Sequence, residues 1–282
     1  MKTGLVLEGG AMRGMFTAGV IDVLLENKIT VDTTVGVSAG AVFGCNYKSQ
    51  QIGRVIRYNK KYCKDPRYAS FRSLVKTGDL YGEQFCYHEI PDKLDPFDIK
   101  AFCENPMDFY VVTTDINTGK PIYHLCKTGD KKDLQWMRAS ASMPLASRIV
   151  SVDGYDMLDG GIADSIPLSW LLSQDFEKAI LVLTQHNGYR KKKNSMLPLI
   201  KAVYRKYPKL IETMQNRHVM YNAELDKIAS LERIGKILVI RPDEPIKISR
   251  TEKDPEKLEC IYQLGRRNAI AKLDQIKEFL SQ

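Results

Sequence analysis

The sequence predicts an α/β fold, with helices packed on a sheet whose functional loops lie at the carboxyl ends of its strands, followed by a C-terminal part of different character. Three observations predict it. Apolar, β-prone runs at residues 4–8 and 33–37 each stop at small residues and lead into helix-compatible sequence. Two more buried-strand patterns follow, FYVVTT at 109–114 and KAILVLT at 178–184. After about residue 186 such runs give way to basic, helix-like sequence. Strand, loop and helix repeated in this order form the pattern of an open α/β sheet.

The first strand stops at Gly9-Gly10, and Phe16, Val20, Val23, Leu24 and Ile29 then recur at roughly helical spacing. The second is rich in β-branched residues and stops at Ser38. Residues 148–152 and 155–158 flank Asp153-Gly154, a strong hairpin signal, so the second arm delivers the chain to Asp159-Gly160-Gly161. Residues 190–193 are a basic run, and the segment up to 210 mixes apolar residues with Lys201, Arg205, Lys206 and Lys209. Pro198 and Pro208 interrupt any long helix there. The last helix starts with Asp254 as cap, Pro255 at its first position and Glu256 suiting the dipole. Leu258, Ile261, Gly265, Ala269, Leu273, Ile276 and Leu280 form its mostly apolar face. The expected division is a core of residues 1–185 and a largely helical extension of residues 186–282 packed on it.

A chain of 282 residues, 44% hydrophobic and 27% charged, suits one large α/β domain, or one domain plus a helical extension. No apolar run approaches the roughly 20 residues of a membrane-spanning helix. Glu8 interrupts the N-terminal apolar stretch before a signal-peptide core could form, so a cytoplasmic location is expected. Cys45, Cys63, Cys86, Cys103, Cys126 and Cys260 are scattered, without a CxxC pair or a zinc-type cluster, so reduced thiols and no structural metal are expected. The net charge of +8 favours an anionic partner. No interleaved aromatic/basic motif or helix-turn-helix signature favours nucleic acid. Peripheral association with an anionic membrane through residues 189–210 is the sharper expectation, and a solvated basic face is the ordinary one.

Three motifs carry chemistry. Gly36-Val37-Ser38-Ala39-Gly40 is G-x-S-x-G between a strand and a helix-compatible run, the setting of a nucleophile elbow. Its glycines permit a sharp turn and close helix–strand packing, and its serine is held at a helix N-terminus. By itself it equally describes a small-residue turn. Glu8-Gly9-Gly10-Ala11-Met12-Arg13-Gly14 is a glycine loop whose N–H groups can converge on an anion. That anion is either a phosphate or the oxyanion of an ester's tetrahedral intermediate. Ala11 replaces the second glycine of the dinucleotide fingerprint, and the Walker pattern is absent. Arg13 suits either anion, or a surface ion pair. Asp159-Gly160-Gly161, read alone, is a turn, with Asp153, Asp156 and Asp164 as nearby competitors.

Glycine loop, elbow serine and, about 120 residues later, an acid at a strand end occur here in one order. With LVLEGGAMRGMFTAGVIDVL, GVSAGA and RASASMPLAS…LDGGIADSIPL, the chain resembles the patatin-like phospholipases, in a bacterial form, over residues 4–185. The resemblance implies a three-layer α/β/α sandwich with a mostly parallel central sheet and a serine lipid acyl hydrolase without a cofactor. Ser38 would be its nucleophile and Asp159 the partner acid of a Ser/Asp dyad. Gly9, Gly10, Ala11 and the neighbouring backbone of Met12, Arg13 and Gly14 would form the oxyanion hole, with Arg13 where the family places a basic residue. Gly36 and Gly40 would shape the elbow, and Gly160 and Gly161 the acid motif. Ala11 departs from the third glycine of many members. If that position needs positive φ, alanine is strained there.

The rival within enzymes is a Ser38-Asp159-His186 triad, since His186 follows the strand that ends at Thr184. His88, His124 and His218 fit structural or surface roles. A carboxylate is a weak base for a serine hydroxyl, so a dyad needs burial to raise the Asp159 pKa and a strong oxyanion hole. The substrate implied is a phospholipid or long-chain acyl ester, with acyl transfer to an alcohol as a related reaction. Outside enzymes, the loop of residues 9–14 would serve a non-catalytic anion-, nucleotide- or membrane-binding protein.

Overall fold

The computed structural model describes residues 2–281. In chain order they form β1 (Thr3–Leu7), α1 (Gly14–Glu26), β2 (Thr33–Val37), α2 (Ala39–Lys48), α3 (Arg54–Tyr62), α4 (Phe71–Thr77) and α5 (Ile99–Glu104). Next come β3 (Asp108–Asp115), β4 (Pro121–Cys126), α6 (Lys131–Ser140), β5 (Val150–Val152), β6 (Tyr155–Asp159), α7 (Leu168–Leu172) and β7 (Lys178–Val182). The chain ends with α8 (Leu197–Val203), α9 (Pro208–Arg233), β8 (Ile237–Ile240), α10 (Pro255–Ala271) and α11 (Leu273–Ser281). A wide-wound helical segment, Phe85–Leu94, encloses Pro91.

The sheet runs β5-β6-β3-β2-β1-β7-β8, with β4 paired to β3. β3, β2, β1, β7 and β8 are all parallel to their neighbours in that order, while β4, β5 and β6 pair antiparallel. β1 and β2 are buried at every residue, as parallel strands covered on both faces must be. Successive side chains alternate between faces. Leu5 and Leu7 join Met15, Phe16 and Val20 of α1, with Leu258 and Ile261 of α10 beyond. Val6, Val35 and Val37 face the other way, toward Leu168, Leu171, Tyr221 and Ile228 of α7 and α9. Leu7 stands in register with Gly36, and Gly36 with Val111. Val111, packed with Phe102 and Trp136, therefore shares the first face. The result is the expected three-layer α/β/α sandwich.

The Asp153-Gly154 hairpin forms, with both residues at positive φ (53° and 81°). Pro198 and Pro208 open α8 and α9. Asp254 caps α10 through the Glu256 N–H at 3.0 Å. Two features differ from the sequence reading. Ile237–Ile240 is a strand at the sheet edge beside β7; its four-residue apolar run after a long helix carries no periodicity signal. The last helix breaks at Lys272, where an i→i+3 bond to Ala269 O tightens the chain. α11 then reaches the foot of β7, where Lys178 Nζ donates to Phe279 O at 2.5 Å.

α10 lies directly against α1. A Cβ on Gly19 would stand 2.1 Å from Tyr262 O, and one on Gly265 2.0 Å from Phe16 O. The helices touch backbone to backbone because neither carries a side chain at the crossing. Asp22 of α1, buried between them, accepts from Tyr262 Oη at 2.8 Å and from the Gly53 N–H at 3.0 Å. Burial pushes its carboxyl up to about 6.

Candidate active site

Ser38 stands between β2 and α2 at φ 53° and ψ −119°, a strained conformation for a residue with a Cβ. The flanking glycines explain why the turn is possible. A Cβ on Gly36 would lie 2.5 Å from Gly40 O, and one on Gly40 2.2 Å from Leu7 O. α2 can therefore begin against the end of β1. Ser140 Oγ, from the end of α6, accepts the Ser38 N–H at 2.8 Å and donates to Val112 O at 2.6 Å. That hydroxyl ties the elbow to β3.

The strand registers explain how Asp159 arrives. Residues 109–114 of β3 give one edge to β4. β2 uses the other edge as far as Val37 opposite Val112, and β6 takes it over from Asp159 opposite Thr113. β2 and β6 run in opposite directions, so their carboxyl ends meet head-on. Ser38 Oγ donates to Asp159 Oδ2 at 2.7 Å. The other carboxylate oxygen, Oδ1, accepts the Gly161 N–H at 2.8 Å. Gly160 passes so close to β3 that a Cβ would fall 2.0 Å from Val112 O. Both members of the pair are buried. Burial raises the Asp159 pKa above its ordinary value; the Ser38 hydrogen bond, the Arg217 charge and the Gly161 N–H pull it back only in part.

The glycine loop adjoins the serine, since a Cβ on Gly9 would lie 3.0 Å from Ser38 Cβ. Among the described residues the N–H groups of Gly9, Gly10 and Ala11 donate to no backbone acceptor. Ala11 has φ 48°, so the position does need the left-handed conformation and the alanine is strained there. Met12 is buried, and Gly14 opens α1 against Ala39 and Phe43. Arg13 makes no surface ion pair among the described residues; its Nε is buried without a hydrogen-bond partner. Glu8, at the mouth of the loop, is fully engaged. It accepts from Tyr221 Oη at 2.5 Å, from the Thr184 N–H at 2.7 Å and from Thr184 Oγ1 at 3.2 Å.

Ser38, Ala11 and Met12 line a cleft whose other walls include Val42, Phe43, Ile90, Phe97, Leu134 and Met137. His186 does not join the pair: its Nδ1 bonds to Asn187 O at 2.6 Å. His124 stacks on Trp136 with centroids 4.0 Å apart. His124, Cys126 and Asp133 stand close enough to hold an ion, but Asp133 Oδ2 already caps the Thr128 and Gly129 N–H groups. Sequence reasoning missed two site residues. Ser140 lies in RASASMPLAS without a signal of its own, and Arg217, whose Nε donates to Gly161 O, lies on a helix of solvated appearance.

Residues 5–172 match the family model described as patatin-like phospholipase, and residues 207–281 match one described as a domain of unknown function, DUF6363. "Uncharacterized protein YjjU" of Escherichia coli K12 is 29% identical over 191 residues, covering 65% of this chain and 52% of that protein. "Lysophospholipase nte1" of Aspergillus terreus is 30% identical over 172 residues, covering 58% of this chain and 11% of that protein. The chain thus spans about half the length of the bacterial relative and about a tenth of the fungal one. Among solved structures, VipD from Legionella pneumophila aligns with 97% of this chain and 67% of its own, at 14% identity and a TM-score of 0.48.

Ser140→Ala leaves the buried Ser38 N–H and Val112 C=O without this partner. An expected loss of about 1–3 kcal/mol follows, read by urea unfolding. Unchanged stability would show that another group takes over the tie.

Proposed function

Since the chain belongs to the patatin-like phospholipase family, we propose that it is a serine lipid acyl hydrolase in which Ser38 attacks an acyl ester and Asp159 is the base. The observation that carries this reading is the 2.7 Å hydrogen bond from Ser38 Oγ, which lines a mostly apolar cleft, to a buried carboxylate. The cleft suits an acyl chain. Asp159 takes the hydroxyl proton as Oγ bonds to the acyl carbon. The carbonyl oxygen becomes an oxyanion against the N–H groups of the loop of residues 9–14. One such donor is typically worth about 3–4 kcal/mol in the transition state. Collapse breaks the bond to the alcohol, which leaves with the proton from Asp159. Water then repeats the sequence on the acyl-serine and frees the acid. Burial of Asp159 makes it a stronger base than an exposed aspartate. No step requires His186, whose Nδ1 is bonded to its own neighbour.

The chemistry is tested by fluorophosphonate labelling and ester hydrolysis. Ser38→Ala is expected to abolish both, and Asp159→Asn to reduce hydrolysis by at least a thousandfold, with unfolding midpoints close to that of the parent protein. His186→Ala is expected to keep most activity; a loss of several orders of magnitude would restore the triad. Asp159 acts only as carboxylate, so the labelling rate should fall as pH drops through its raised pKa. The midpoint should lie above the ordinary aspartate value. A rate constant down to pH 4 would remove Asp159 as the base.

The same reading includes peripheral docking on an anionic leaflet. Met196, which caps α8, and Leu199 and Val203 on it are exposed, as are Lys201 on the helix and Lys192 and Lys193 shortly before it. Tyr204, at the end of that helix, accepts the Leu145 N–H at 3.1 Å, beside cleft residues Met143 and Ser147. Wild type is expected to float with phosphatidylglycerol vesicles, and Leu199→Asp/Val203→Asp to stay behind. Equal flotation of the two would exclude α8 as the contact.

A further inference from the structure

Arg13, Arg217 and Lys191 gather around Glu8 and Tyr221, and Arg217 is also felt by Asp159; none of the three takes part in the proton transfers above. Arg217 and Tyr221, four residues apart on α9, share one face. Lys191 Nζ rests 4.1 Å from the centroid of the Tyr221 ring, and the Tyr221 hydroxyl donates to Glu8, which leads into the glycine loop. One turn earlier, Arg217 donates Nε to Gly161 O and Nη2 to Ser165 Oγ at 3.4 Å. Arg13, within the loop, has its Nε buried and unpartnered.

The placement of Lys191 is specified. Its N–H donates to Asn222 Oδ1 at 2.8 Å, and its carbonyl accepts Asn222 Nδ2 at 3.0 Å. Its neighbour Arg190 reaches Asn222 O at 3.0 Å and the Asp226 carboxylate. Lys191 is therefore clamped onto α9, while Arg190 and Asp226 pair at the surface.

None of Lys191, Arg217 and Arg13 forms an ion pair among the described residues. The nearby carboxylates are already engaged, including Asp164 and Glu224, which line a pocket with Arg217 but accept from Tyr123 and Ser169. Glu8 is held by Tyr221 and Thr184, and Asp159 by Ser38 and Gly161. Burial, reinforced by the charges of Arg217, Arg13 and Arg250 against the pull of Glu8, lowers the Lys191 pKa to about 8. Partly buried cations without a counter-ion are costly, and an arriving anion relieves that cost.

We infer that Lys191, Arg217 and Arg13 form an anion subsite beside Ser38 that takes the phosphate of a phosphate-bearing acyl ester, while the acyl chain lies in the apolar cleft. Lysine supplies a point charge and the two arginines supply planar donors, the combination that suits phosphate oxygens. The assignment rests on Ser38 being the nucleophile. It makes Lys191 a determinant of head-group specificity instead of a part of the proton chemistry.

The test compares two esters with the same acyl chain, 1-palmitoyl lysophosphatidylglycerol and 1-palmitoylglycerol, on wild type, Lys191→Gln and Lys191→Arg. The ratio of kcat/KM values, phosphate ester over neutral ester, should fall at least tenfold in Lys191→Gln, chiefly through KM, and recover in Lys191→Arg. Equal falls on both esters, or no fall on either, would overturn the subsite. Calorimetry with inorganic phosphate reads the cations without relying on Ser38. Phosphate binding that Lys191→Gln abolishes, in a protein that fluorophosphonate does not label, would keep the anion site and remove the hydrolase reading. Labelling at Ser38 with no difference between the esters and no phosphate binding would do the reverse. Phosphate binding with no preference between the esters would assign the cations to free phosphate and overturn the head-group role.

Discussion

Two strands reach the same edge of β3 from opposite directions, and the space between their ends fixes the geometry of the site. β2 stops opposite Val112 and β6 stops opposite Thr113, so the next side chain of one meets the last of the other. Asp159 ends its strand and Ser38 directly follows its own, so little conformational freedom is left to lose when they meet. The same meeting buries the carboxylate, and burial is the first cause of its raised pKa. Gly36, Gly40 and Gly160 sit where β1, β3 and α2 crowd this junction, and each would drive a Cβ into backbone.

Glu8 organises the other side. It is a buried carboxylate at the end of β1 that joins the loop after β7, through Thr184, to α9, through Tyr221. The glycine loop thereby starts from a fixed point, and strain at Ala11 and Ser38 can be held by the packing around them. One consequence is electrostatic. Since Glu8 and Asp159 satisfy themselves with neutral donors, the cations from the loop, α9 and the segment after β7 remain in excess beside them.

The β-branched runs at β2, β3 and β7 were legible because buried parallel strands leave continuous apolar sequence, and the β5–β6 hairpin because Asp153-Gly154 suits two consecutive positive φ angles. Ser38 was legible from the elbow's glycines. Asp159 needed the combination of motifs, since D-G-G alone describes a turn. The rest depends on tertiary meetings that local sequence does not encode. Ser140 touches Ser38 across 102 positions, and Arg217 touches Gly161 across 56. Lys191 sits in a run that looks solvated, and the Asn222 clamp that turns it inward is a tertiary contact. β8 is too short to show a period, and its pairing with β7 is what makes it a strand.

The crossing of α1 and α10 at Gly19 and Gly265 bears on how such a chain can be inherited. α1 follows directly from the glycine loop, and α10 lies in the segment that matches the domain of unknown function. A helix seated backbone to backbone admits no substitute with a side chain at the contact, and β8 covers the strand edge that β7 would otherwise present. Recombination that exchanged only the C-terminal third would have to bring a glycine to the same turn and a strand to the same edge. The crossing thus joins the two matched regions through their backbones, where neither can change at the contact without the other.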